Sequence, residues 1–525
     1  MMRTYARLVG AVALFGLTAC ELGVTNFGSP DVARVLSDAG SVEAAISGLG
    51  SQLNNPQRAS ESVNTQSKIL AEETFASVAN FGMAARVANR TLVSNELGND
   101  NQTGNLANFN SFQRVTRLTF NTLAAFNNLV AANRNTLTPT AVNRMRAFAY
   151  LVAGQSLGMV SLAYDSASIA DEAINTTDIP GLSGASDVNA KAIEYLDSAV
   201  TIAGRGMDAL PNTWISGVAL NQADFIRLAR SYRARYRAGV ARTPAERAAL
   251  NWAAIIADAT NGITADHNIS INGQTGWGAA FDAGQIYVTG GWHSVPMKYV
   301  GMADSSGAYQ AWIATPSASR RAFLVQTRDG RWPAGGTRAA QQALSPNNII
   351  APRYLRNRPT GDDVVIAGDG ESFYDHRRYG LTQSNTSVAG NYTDMSKTEI
   401  DMLAAEGYIR TGQAALAEPL IDISRTRNGL PSVVGVGAGV VPGGAACVPK
   451  LPNGTCGTLL EAMKYEKRME TAFTGYMIWY TDSRGWGDLP NGTVLEWPVP
   501  YQEMQARLQP FYNGTRQAGA STYGF

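Results

Sequence analysis

The sequence predicts a mainly α-helical fold, a scaffold of helical hairpins interrupted by one large, irregular, loop-rich insert. Three observations predict it. Apolar residues recur at helical spacing through most of the first half and again beyond residue 394. Between about 263 and 393 that periodicity stops, Gly, Pro, Ser, Asn and Thr rise, and Trp277, Trp292, Trp312 and Trp332 all fall there. The 525 residues are 45% hydrophobic and 16% charged, a composition that buries a large core and argues against wholesale disorder.

The chain begins with Arg3 and Arg7 ahead of an apolar run from Leu8 to Leu17, too short to span a bilayer and suited to the core of an export signal. Leu17-Thr18-Ala19-Cys20 matches a bacterial lipobox, so residues 1–19 read as a lipoprotein signal peptide and Cys20 as the lipidated residue. The alternative is a chance cysteine after an apolar helix. Residues 20–30 follow as a tether, and the mature chain is anchored to the membrane by lipid rather than spanning it.

Helical patterns then run from Asp31 to Leu53 and over about 64–90, 110–133, 139–165, 188–207, 220–238 and 245–262. After the insert they resume near Lys397 and continue to Asn428, and a last long helix is expected from Thr458 to Thr481. Ala405, Tyr408, Gly412, Ala417, Ile421, Ser424 and Pro431 follow the order of a tetratricopeptide unit, with a generic helical hairpin as the alternative. The stretches 110–165 and 188–238 have the length of further hairpins. Three or more stacked units are needed to bury a continuous core.

Charge excludes other classes. Removing the signal takes the formal charge from +1 to −1, which leaves no field for nucleic acid and suits recognition of neutral ligands by shape and stacking. The three histidines, His267, His293 and His376, are widely separated, so no metal site and no cofactor is expected. Asp362-Asp363 and Gly368-Asp369-Gly370-Glu371 lack the alternating ligands of a calcium loop and read as solvated turns. No phosphate-binding loop, zinc-protease pair or nucleophile elbow is present. The arginines of Arg227 to Arg237 spread around a helix and read as a salt-bridged or partner-facing surface. With Cys20 assigned, Cys447 and Cys456 flank a Pro/Gly/Asn-rich segment, where an oxidising envelope permits a disulfide-closed loop; two free thiols are the alternative.

In the last expected helix Leu459, Met463, Glu466, Glu470, Phe473 and Met477 share one face, which puts two carboxylates in the core stripe. Two carboxylates one turn apart can serve as an acid and a base, because each perturbs the other's pKa. The preferred reading is structural: buried acids paired with buried arginines, Arg146 being one candidate partner.

Several of these stretches resemble the SusD/RagB family of outer-membrane nutrient-binding lipoproteins. Asn26-Phe27-Gly28-Ser29-Pro30 with Ser41 to Gly48 resembles its post-tether segment and first helix. Arg144 to Ala163 resembles its Arg-Ala-aromatic helix, and Ala404 to Pro431 its last repeat hairpin. Tyr465 to Gly475, then Asp482 to Gly487 and Pro498-Val499-Pro500 with Glu503, resembles its closing block. Thr474 departs from an acidic position and Thr481-Asp482-Ser483-Arg484 is a looser match than the usual turn. The resemblance implies one SusD-like domain over 31–525, with a helical scaffold at about 31–262 and 394–525 and a ligand-binding insert at about 263–393. It implies a non-catalytic protein facing outward from the outer membrane. Such a protein captures a nutrient, an oligosaccharide or a peptide, and hands it to a SusC-like TonB-dependent transporter.

The matching motifs carry no ligand residues. Sugar recognition needs flat apolar faces with a few polar groups on a preformed site. The insert offers Tyr287, Trp292, Tyr299, Trp312 and Trp332, with Arg331, Asp304 and Asn347 nearby, and Ser94 to Asp100 is a second loop candidate. Each tryptophan could instead anchor a loop in the core. Two other functions stay open at this point: a tetratricopeptide-type adaptor for a protein ligand, and a glycan hydrolase using Glu466 and Glu470 or Asp362 and Asp363.

Overall fold

A computed structural model describes residues 38–519 apart from 59–61, 77–94, 96–102, 133–136, 172, 174–178, 272–276, 279–292, 345–353, 362–369, 377, 379–381 and 385–386. The scaffold opens with α1 (Ala39–Asn54), where the Asp38 carboxylate accepts from the Ser41 amide, and α2 (Val63–Leu70), capped in the same way by Ser62. Two long helices follow, α3 (Thr103–Ala131) and α4 (Pro139–Ala163), the second started by Thr138 with a proline in its first turn. Next come α5 (Ala185–Gly204), α6 (Gln222–Gly239), α7 (Pro244–Ala248) and α8 (Trp252–Thr260).

Among the described residues, the insert holds three short α-helices, α9 (Met297–Ala303), α10 (Ala308–Ala314) and α11 (Arg338–Ala343). Beyond it lie α12 (Lys397–Arg410), α13 (Ala414–Arg427), α14 (Leu459–Thr471), α15 (Ile478–Trp486) and α16 (Tyr501–Ala506). The long helices pack in a continuous row, α3 on α4, α4 on α5, α5 on α6, α6 on α8, α8 on α12, α12 on α13 and α13 on α14. This is the nearest-neighbour stacking of a helical-hairpin array. One core cluster runs from Val42 of α1 to Met504 of α16, and a second, around Met402, Ala417, Ile421 and Met463, lies under the last hairpin.

Strands are short and serve as clips. The strand Phe75–Ala76 pairs antiparallel with His293–Ser294, so the insert is stitched to the segment after α2. The strand Ser387–Met395 pairs with His267–Ile271, opposing Tyr392 to Ile269, which brings the two ends of the insert together.

Four expectations need correction. The pattern over 64–90 is not one helix: α2 stops at Leu70, Glu72 takes a left-handed φ of 56° and a strand follows, while 77–90 fall outside the described residues. The pattern over 245–262 divides because Asn251 caps a fresh helix. The last helix breaks after Thr471, with Phe473 (φ 63°) and Met477 (φ 58°) left-handed, so those two residues do not extend the α14 stripe. The insert is not devoid of regular structure. Its helices of six or seven residues are too short for a helical period to register.

Close helix approach in the scaffold depends on glycine. A Cβ at Gly158 of α4 would overlap the Tyr236 ring of α6, whereas at Gly48 of α1 it would meet nothing within 4 Å. Gly158→Ala is expected to lower stability by about 1–3 kcal/mol through overpacking, and Gly48→Ala to raise it by up to about 1 kcal/mol. Urea denaturation of the two variants checks both signs.

Candidate functional site

The aromatic residues singled out in the insert divide sharply. Tyr299 on α9 is fully buried, its ring centroid 5.8 Å from Trp332 and 4.8 Å from Trp479 in edge contacts. Trp332 also meets Tyr374 edge-on at 5.3 Å. Trp312 stacks on Tyr309, and the Arg320 guanidinium covers it at 4.4 Å. These three rings are core packing, with 0–4% exposure, and offer no face to a ligand. Trp277 is also buried, and Asp304 is a turn acid that accepts from the amides of Gly307, Ala308 and Gln326. Tyr287, Trp292, Asn347, Asp362 and Asp363 lie outside the described residues. Of Ser94 to Asp100 only Asn95 is described, and its amide donates to the carbonyls of Val499 and Tyr512.

Arg331 is fully buried and is the centre of an ionic cluster rather than a ligand contact. Its Nη2 donates to Asp329 Oδ2 at 2.7 Å and Glu466 Oε2 at 2.9 Å, and its Nη1 to Glu470 Oε1 at 3.0 Å. Tyr465 and Ser424 hydroxyls donate to Asp329 and Glu466 at 2.6 and 2.7 Å, and Tyr354 donates to Glu470 at 2.9 Å. Arg378 and Arg427 approach Glu470 at 3.0 and 3.2 Å, and Arg425 approaches Glu466 at 3.6 Å. Arg146 is not the partner of these acids. It donates instead to Asn127 Oδ1 at 2.9 Å. The α14 stripe turns both glutamates inward, and arginines from the insert and from α13 meet them there.

This arrangement is poor ground for acid–base chemistry. Burial alone would raise the pKa of Glu470, but the Arg378, Arg331 and Arg427 charges hold it down to about 2. For Glu466 burial dominates and raises the pKa, with the Arg331 and Arg425 charges opposing. The two values are pushed apart, as an acid and a base require, yet both carboxylates are sealed from solvent and already bonded. Arg235, from the arginine-rich stretch, is likewise spent on Glu399 and Arg237 on Asp258. Cys447 and Cys456 are joined as a disulfide.

Open clefts lie elsewhere. One of about 690 Å³ lies between the start of α5 and the C-terminal segment, with Asp165, Arg242, Glu246, Glu496 and Thr515 in its wall. A second, of about 400 Å³, runs between α3 and α16 past Ile179 and Pro180. A third, of about 340 Å³, borders the strand Val218–Leu220 and Asp266. All three are in the size range of small-ligand sites. Sequence reasoning missed them because each wall is assembled from distant segments; the i,i+3 pair Arg114 and Arg117 was the one local signal available.

A carboxylate whose folded pKa lies below its unfolded value stabilises the fold above the unfolded value, and that contribution disappears as pH falls through the folded one. For Glu470 the window runs from 4.5 down to about 2. Glu470→Gln is therefore expected to flatten the acid dependence of stability in that window. At neutral pH it removes the counter-charge of buried arginines and costs about 3–5 kcal/mol. Denaturation midpoints measured from pH 7 downward check both effects.

No protein-family model matches the chain, and no curated protein matches it in sequence. Solved structures do match in shape. A SusD-like protein from Bacteroides fragilis NCTC 9343 superposes with a TM-score of 0.55 at 13% identity, over 91% of this chain and 97% of that one. A SusD-like carbohydrate binding protein from the same organism gives 0.55 at 11% identity, over 93% and 96%. A SusD superfamily protein from Bacteroides vulgatus ATCC 8482 gives 0.52 at 12%, over 90% and 97%. The likeness covers nine-tenths of the chain or more, in agreement with the resemblance read from the sequence. The chain has the mainly helical SusD-like fold.

Proposed function

We propose that this protein is a SusD/RagB-type surface lipoprotein of the outer membrane, held by acyl chains on Cys20. It captures a nutrient oligosaccharide and passes it chemically unchanged to a SusC-like TonB-dependent transporter. The observation that carries the reading is the shared fold over some nine-tenths of the chain, with a neighbour described as carbohydrate binding among the matches. The lipobox supports the anchor. No helix among the described residues is long and apolar enough to cross a membrane, which agrees with attachment by lipid.

The non-catalytic part of the reading is supported by the fate of the candidate acids. Glu466 and Glu470 are consumed by arginines inside the protein. Tyr287 and Trp292 remain the proposed stacking contacts of the insert, and 31–525 is read as one domain on a 20–30 tether.

Two measurements test this. Titration calorimetry of a soluble form lacking Cys20, against panels of glycans and peptides, is expected to show binding of a glycan and no turnover of it; binding of peptides alone would redirect the reading. Cys20→Ala in the full chain is expected to move the protein from the membrane to the soluble fraction, and affinity purification of the wild-type form to recover a TonB-dependent barrel. Recovery of the lipidated protein with no barrel would contradict the partnership.

A further inference from the structure

The two ends of the insert meet at one strand pair, and that pair carries a buried histidine. His267, 7% exposed, stands opposite Met395 at the start of the strand His267–Ile271. The register shifts between Thr393 and Met395, so Asp394 is the extra residue of a β-bulge and is buried. Its carboxylate accepts from Arg58 at 3.1 Å and from the Tyr232 hydroxyl at 2.6 Å. Arg235 of α6 stands 3.7 Å from it and holds Glu399 of α12 through two bonds of 2.7 Å. Two guanidinium groups are thus matched by two carboxylates, and Asp394 is already committed. The His267 imidazole makes no hydrogen bond among the described residues.

His267 separates two spaces. Inside is a cavity of about 40 Å³, shared with Asn54, Tyr232, Trp277 and Asp394, which is too small for a saccharide and has room for water. Outside is the cleft of about 340 Å³, so a proton can reach the imidazole while the protein is folded. The charged groups on the cleft side are Asp224 and Arg227, paired at 2.8 Å, and the exposed Asp266. The hairpin over 210–220, packed beside the strand, has no titratable side chain. An imidazolium here would be a third cation beside two carboxylates in a site closed to bulk water, which is costly. Burial accordingly pushes the imidazole below its ordinary value of 6.5, with the Asp394 charge opposing and the Arg235 charge assisting.

We propose that His267 is an acid-sensitive latch on the insert: neutral, it lets the strands His267–Ile271 and Ser387–Met395 stay paired, and protonated, it drives the junction of the insert's two ends open. A base whose pKa is lower in the closed state takes up its proton more readily once the junction opens. Closure is therefore most favourable above the open-state value of 6.5, and stability is lost as pH falls from there to the closed-state value. The latch needs no ligand, so it stands or falls apart from the glycan-capture reading.

Hydrogen exchange of the Cys20-free soluble protein between pH 7.5 and 5.5, corrected for the intrinsic pH dependence of exchange, tests it. The reporters are the amides of Ile269, Ile271 and Tyr392, with amides of α4 as the reference. The opening constant of the junction is expected to rise below pH 6.5 by up to about tenfold per pH unit, the limit for one proton, while α4 keeps its protection. His267→Gln and His267→Asn, each neutral and polar, are expected to remove that rise. Junction opening that is independent of pH in the parent protein overturns the latch without recourse to a variant. The same rise in a folded variant assigns the proton to another group and overturns it, and so does acid opening of α4 together with the junction.

Discussion

The guanidinium of Arg331 is the interaction on which the rest of the structure depends. A charge taken entirely out of water is tolerated only when its donors are satisfied and opposite charge is adjacent. Asp329, two residues away, supplies one carboxylate within the insert, and Glu466 and Glu470 supply two from the closing helix. The insert and the scaffold are therefore joined by a contact neither part can give up cheaply. Backbone bonds from Tyr354 and Leu355 to the Arg331 carbonyl extend the join into the strand Leu355–Asn357.

The same device recurs wherever segments distant in sequence meet. Arg247 of α7 reaches Glu406 of α12 at 2.6 Å and Asp482 of α15 at 2.9 Å. Arg58 and Arg235 converge on Asp394 at 3.1 and 3.7 Å, at the end of the strand Ser387–Met395. Arg484 donates to the carbonyls of Leu162, Gly239, Ala241 and Leu495, and so gathers the ends of α4 and α6 to the C-terminal segment. Helical periodicity builds the hairpins, and buried arginines set how the hairpins, the insert and the tail are assembled. In the proposed role of presenting loops to a ligand, such ties supply rigidity beneath a loop-rich surface.

Where local pattern decides structure, the sequence was legible. The scaffold helices α1, α3, α4, α5 and α6 were readable because each is long with apolar residues at helical spacing, and several start at side-chain caps. The breaks at Glu72 and Phe473 were not, since a left-handed residue other than glycine is held by its surroundings and leaves no compositional trace. The inward turn of Glu466 and Glu470 followed from helical spacing, but their partners did not, because Arg331 and Arg378 come from an insert without period. The aromatic residues show the same limit. Composition marks where tryptophan is concentrated, but the choice between core and ligand face is made by packing, and Tyr299, Trp312 and Trp332 went to the core.

Native-state hydrogen exchange of the Cys20-free protein under increasing urea tests most directly whether Arg331 fastens the insert to the scaffold. The amides of Tyr354 and Leu355 in the insert and those of Glu466 and Glu470 in α14 are the reporters. The account predicts that all four open together, at one free energy close to that of global unfolding. Opening of the insert amides at a much lower free energy, with α14 still protected, would contradict it.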